Sequence, residues 1–85
     1  MIRTAPHLRS IVTADGAVIL DAYRDTMTTL NDTGALIWKC LSEGAEPSEI
    51  ITALAERGSV DPVVVAEDFD SFVGELKAKK LIIVS

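Results

Sequence analysis

Apolar and polar positions near the start of the chain alternate, loosely, at a period of two. Leu8, Ile11 and Val12 are separated by Arg9, Ser10 and Thr13, which predicts a short strand over residues 8–13. Ala14-Asp15-Gly16 follows with turn chemistry, since Asp tolerates turn geometry and Gly supplies positive φ. Ala17-Val18-Ile19-Leu20-Asp21 is rich in β-branched residues and completes a hairpin. Ala22 to Asp25 then forms a second turn, and Thr26-Met27-Thr28-Thr29-Leu30 a third strand in meander order, because Thr suits a half-exposed pleated surface.

The period changes after Leu30. Asn31 or Asp32 can cap a helix in which Leu36, Ile37, Cys40 and Leu41 recur at spacings of three and four, running to about Ser42. Glu43-Gly44-Ala45 closes it. Pro47 sits where a first helical residue needs no amide hydrogen, and Ile50, Ile51, Leu54 and Ala55 form the stripe of a second helix that Gly58 ends. Asp61-Pro62 opens a third, with Val65, Phe69, Phe72, Val73 and Leu76 on one face. Its acidic residues come early and Lys77, Lys79 and Lys80 late, matching the helix dipole. Leu81-Ile82-Ile83-Val84 is either a brief strand or an apolar tail tucked against the sheet.

The expected fold class is therefore α+β: a winged helix-turn-helix-like domain with a three-stranded antiparallel sheet followed by three helices. At 85 residues and 48% hydrophobic, the chain has material for one domain over 1–85, with an ordered core over about 8–82. No apolar run approaches the ~20 residues a bilayer span requires, and the N-terminal residues lack the features of a secretory signal. With Cys40 as the one cysteine, no intramolecular disulfide forms, so a reducing cytoplasm is expected and a metal centre is not. Thirteen acidic against eight basic residues give a net charge of −5, which opposes nucleic acid as a partner.

Candidate chemistry is sparse. His7 is the sole histidine and falls in a segment expected to be loose, while Cys40 lies on the apolar side of the first helix and reads as a small core residue. Glu67, Asp68 and Asp70 crowd the third helix, but adjacent helical residues diverge, so a solvated face is expected. Asp70-Ser71-Phe72 resembles the attachment sequence of acyl carrier proteins, yet Ser71 lies mid-helix behind three strands, where a carrier fold has none. A winged-helix DNA-binding role meets the same acidic third helix. No catalytic residue, metal site or cofactor is expected.

What remains is a sheet edge. Unpaired amides and carbonyls on Thr26, Met27, Thr28, Thr29 and Leu30 can accept an extended guest peptide, with alternate guest side chains entering apolar recesses. Phe69 and Phe72 on the third helix are expected to floor the recess while also serving the core, and Asp68 to rim it.

Several segments then carry a resemblance. Asp15-Gly16-Ala17-Val18-Ile19-Leu20-Asp21 is followed by Leu30-Asn31-Asp32-Thr33-Gly34-Ala35-Leu36-Ile37-Trp38, by Glu49-Ile50-Ile51 with Leu54-Ala55-Glu56-Arg57, and by Val60-Asp61-Pro62. In that order and spacing they resemble the PqqD-like family of peptide recognition elements, over about residues 8–82, with Leu-Asn-x-x-Gly-x-x-x-Trp the most specific part. The resemblance implies a non-catalytic domain that binds the leader of a ribosomally made precursor peptide as an added antiparallel strand between strand three and helix three. Met27, Val65, Phe69 and Phe72 would hold apolar leader side chains, with Asp68 adding specificity. Many relatives carry aromatic residues just before the Leu-Asn pair, where this chain has Met27 and Thr28, which implies a groove that is either shallower or more adaptable. The free-standing form is similar to the recognition protein of lasso-peptide pathways, whose partners are a cysteine-protease-like leader peptidase and an ATP-dependent macrocyclase. The alternative within the family is a chaperone that delivers its precursor to a radical enzyme in cofactor biosynthesis.

Overall fold

The computed structural model describes residues 2–84. In chain order the elements are β1 (Ile2–Thr4), β2 (Leu8–Thr13), β3 (Gly16–Asp21), β4 (Thr26–Leu30), α1 (Asp32–Ser42), α2 (Pro47–Gly58), α3 (Pro62–Ala78) and β5 (Ile82–Val84). Strands β2, β3 and β4 make an antiparallel meander in the order β2-β3-β4, so β4 is an edge. The three expected strands and three expected helices are all present. β4 is the third strand of the sequence reading.

The remaining strands form a separate two-stranded sheet, in which Ile2 pairs with Val84 and Thr4 with Ile82. The amide of Ala5 extends this clasp by donating to the carbonyl of Leu81 at 3.0 Å. The segment expected to be loose is thus ordered, and the open choice at residues 81–84 resolves to a strand for 82–84. Its partner is β1 and not the meander. Three residues are too few to show a period, and the pairing joins opposite ends of the chain, so no local signal announces it.

The helix starts follow their capping chemistry. Asn31 Oδ1 accepts from the amide of Gly34 at 2.8 Å to cap α1, and Asp61 Oδ1 accepts from Val63 at 2.9 Å to cap α3. At α2 the Glu49 side chain accepts from the amide of Glu46 at 3.1 Å, one arm of a capping box. The left-handed residue after α2 is Ser59, at φ 52°, so Gly58 is the last helical residue.

The meander turns one face to the helices. Ala17, Ile19 and Asp21 point inward from β3 and are buried, and their β4 partners on the same face are Leu30, Thr28 and Thr26. Against this face pack Ala35, Ile37, Trp38 and Leu41 of α1, with Ile50 of α2, Phe69 and Leu76 of α3, and Leu81 and Ile82 closing the cluster. Cys40 is half-buried at the margin of this core. Trp38 is almost wholly covered, as its large ring between sheet and helices requires.

Two glycines set contrasting constraints. A Cβ at Gly16, whose φ is +155°, would overlap the carbonyl oxygen of Leu30, so the start of β3 and the end of β4 approach as closely as they do only because this side chain is absent. Gly74 faces open space within α3. Gly16→Ala is expected to cost about 2 kcal/mol or more, whereas Gly74→Ala is expected to stabilise by about 0.5–1 kcal/mol. Urea unfolding of the two variants against the parent checks both signs.

Candidate functional site

β4 leaves one side of its backbone unpaired, and α3 flanks that side. An open cleft of about 410 Å³ separates them, lined by Arg24, Thr26, Met27 and Thr28 on one wall and Ala78, Lys79 and Lys80 on the other. The start of β4 therefore lies beside the end of α3. Further along, the Phe72 ring packs on α1 just beyond the end of β4: a methyl group at Gly34 would sit 3.2 Å from its Cε1. Strand and helix consequently run in opposite directions, with the cleft at the Lys79–Lys80 end and Phe72 toward the other.

The expected site residues divide into distinct environments. Thr26, Met27 and Thr28 line the cleft directly. Phe72 and Val65 are half-buried on α3 and Asp68 is exposed. Phe69 is 3% exposed and belongs to the core cluster, which corrects the expectation that it floors a recess open to a guest. It falls seven residues before Leu76, on the innermost line of the helix, and that line is consumed by packing on the sheet. Leu30 is likewise buried, leaving only its backbone on the edge. Thr29 is exposed on the outward face, opposite Val18.

Met27 reaches the cleft from the outward side of β4. It pairs with Leu20 on the outward face of the sheet and is 68% exposed, while Thr26 and Thr28 face the helices. Met27 and Phe72 thus belong to opposite faces of the meander and cannot form one recess, because strand side chains alternate.

Arg24, Lys79 and Lys80 were not among the expected site residues. The lysines had a sufficient reading as complements to the dipole of α3, and Arg24 as a turn residue. Their convergence depends on how the β3–β4 turn meets the end of α3, which no single segment reveals.

That turn is organised by Asp21, buried to 1% exposure. Its Oδ1 accepts from the amides of Tyr23 at 3.0 Å and Arg24 at 3.2 Å, an Asx-type turn. His7 Nε2 lies 3.3 Å from Oδ1, and Arg24 Nε 3.6 Å from Oδ2. The His7 ring stacks on Tyr23 with centroids 4.5 Å apart. Burial alone would raise the carboxyl pKa, but the Arg24 amide, the neighbouring His7 and the Tyr23 amide together hold it below its ordinary value. His7 is therefore a turn-bracing residue in an ordered segment.

Comparison with known proteins bears on what this groove is for. Residues 16–82 match the family described as coenzyme PQQ synthesis protein D (PqqD). The chain belongs to the PqqD family. Its fold is similar to that of a protein solved as TbiB1 in complex with the TbiA(beta) leader peptide, at 30% identity and a TM-score of 0.92 over 98% of this chain and 96% of that one. It is similar too to lasso peptide synthetase B1 complexed with the leader peptide, at 28% identity and a TM-score of 0.88, covering 98% of each chain. No curated protein matches. The architecture expected from the sequence, a meander followed by three helices, is thus the one these solved proteins share, and Ser71 within α3 of such a fold has no carrier-protein setting.

The Asp21 geometry gives a pH dependence. A carboxyl that titrates lower when folded stabilises fully above its unfolded value, near 3.8, and loses that stabilisation as pH falls through the folded value. The melting temperature of this PqqD-family domain is expected to fall between about pH 5 and pH 2, and Asp21→Asn to make that fall shallower. Thermal melts of both proteins across the range test it.

Proposed function

We propose that this chain binds the leader segment of a ribosomally made precursor peptide as an additional antiparallel strand on β4, in a lasso-peptide pathway. It presents that leader to a cysteine-protease-like leader peptidase and an ATP-dependent macrocyclase, and it contributes recognition without catalysis. The observation that carries this reading is the unpaired β4 edge with α3 beside it, in a fold whose near full-length relatives were solved with leader peptides bound. The free thiol of Cys40 suits a reducing cytoplasm as the place of work.

The mechanism is β-augmentation. Backbone groups of Thr26 to Leu30 pair with the guest, each bond worth about 0.5–1.5 kcal/mol net. Guest side chains facing the helices meet Thr28, Phe72 and Val65, with Asp68 at the rim. Those on the other side run beside Met27. Burial of apolar area contributes about 25 cal/mol per Å² and is offset by ordering the leader, so affinity of about micromolar to nanomolar is expected. The comparatively small Thr28 leaves space that a larger guest side chain can fill.

Titration with the synthetic leader of any short precursor encoded nearby, followed by backbone NMR, is the direct test. Saturable shifts are expected over residues 26–30, 64–76 and 78–80, and shifts scattered elsewhere, or none, overturn the reading. Phe72→Ala is expected to weaken leader affinity roughly tenfold while costing about 1–3 kcal/mol of stability through its lost packing on Gly34. A folded variant with unchanged affinity would remove Phe72 from the groove.

A further inference from the structure

We propose that the groove is electrically polarised, and that the leader carries a carboxylate in its C-terminal flank, where it passes between Arg24 and the Lys79–Lys80 pair. This deepens the leader-binding reading and rests on it. Three of the chain's eight Lys and Arg residues line this one cleft, in a protein of net charge −5. Among the described residues, no carboxylate lies within 4.0 Å of Lys79 or Lys80, while Arg24 is only loosely held by Asp21 and remains substantially exposed.

The dipole of α3 does not by itself account for the cluster. Arg24 comes from the β3–β4 turn, an element with no part in that helix, yet it lines the same space. The helix end also presents carbonyls, a partial negative charge that would repel a guest carboxylate, and the two lysines reverse its sign. Lys80 moreover occupies a left-handed position, φ 60°, with its amide donating to the Lys77 carbonyl and that of Leu81 to Leu76. Helices that end this way most often place glycine there, so a lysine is held at some conformational cost at the mouth of the cleft.

Direction follows from strand geometry. A guest antiparallel to β4 starts beside Leu30 and finishes beside Thr26, so its C-terminal flank reaches the cationic end. Toward the other end, Asp68 lies one helical turn before Phe72 on α3 and Asp32 two residues before Gly34 on α1, both exposed, and a neutral or cationic N-terminal flank is favoured there. Reversed or oppositely charged peptides meet like charges at both ends, which discriminates among guests more than it tightens the right one.

The test is a charge-swap cycle read by fluorescence anisotropy, using the labelled synthetic leader that binds saturably in the NMR titration. Lys79→Glu with Lys80→Glu is expected to weaken binding of the parent leader about tenfold or more at low salt, and the loss to shrink as salt rises. A leader with its C-terminal-flank carboxylates replaced by Lys should bind the reversed protein within about threefold of the parent pair. Lys80→Gly supplies a variant that keeps or raises the melting temperature, because glycine suits the left-handed position, and it should still lose affinity several-fold. Parent leader that binds saturably but changes less than about twofold across these variants overturns the polarity proposal and leaves leader binding intact. Tight binding by a leader whose C-terminal flank has no carboxylate overturns it as well. Absence of any saturable binding overturns both readings.

Discussion

The packing of β3 onto α1 is the contact on which the rest of the molecule depends. Ile19 is wholly excluded from solvent at the middle of the central strand, with Ala17 and Ala35 small enough beside it to let sheet and helix close and Trp38 filling the width between them. The close approach of Gly16 to the Leu30 carbonyl fixes where β4 must end, and Asn31 begins α1 immediately afterward. The edge strand, the first helix and the glycine that receives the Phe72 ring are therefore placed by one junction. α3 lies where it does because Phe69 and Leu76 fill the remaining side of the same core. In a chain of this size the helices cover a single face of the meander, and among the described residues β4 has no further strand to pair with.

Much of this was legible in the sequence wherever structure is set by near neighbours. The β-branched run within Ala17 to Asp21, the cap at Asn31, the proline at Pro47 and the acid-proline pair at Asp61-Pro62 each marked an element that the structure contains. β1 was invisible because a three-residue strand has no period and finds its partner at the far end of the chain. Residues 82–84 carried an apolar signal but not the identity of what they pack against.

The candidate site was legible at the level of its backbone and less so in its side chains. Thr26 to Leu30 is an edge strand beside the third helix, as the pattern suggested. Which side chains of β4 face the helices was not legible, because only the register against β3 turns Thr28 inward and Met27 outward. Treating Phe69 as shared between core and groove underestimated how completely a small core uses its aromatics. The basic end of the cleft escaped because Lys79 and Lys80 already had an adequate local explanation, and only tertiary structure sets Arg24 against them.

The alternation along β4 bears on what kind of information a guest must carry. Thr26 and Thr28 look toward the helices and Met27 and Thr29 away from them, so consecutive guest residues are read by two different surfaces, one walled by α3 and one open beside Leu20. A guest is then recognised in a reading frame of two. Adding one residue within it exchanges the two sets of side chains between surfaces, whereas adding a pair restores the original assignment one step along. Such a strand tolerates changes of composition at many positions so long as that parity is kept, and the spacing between its anchor residues carries more of the message than their identity.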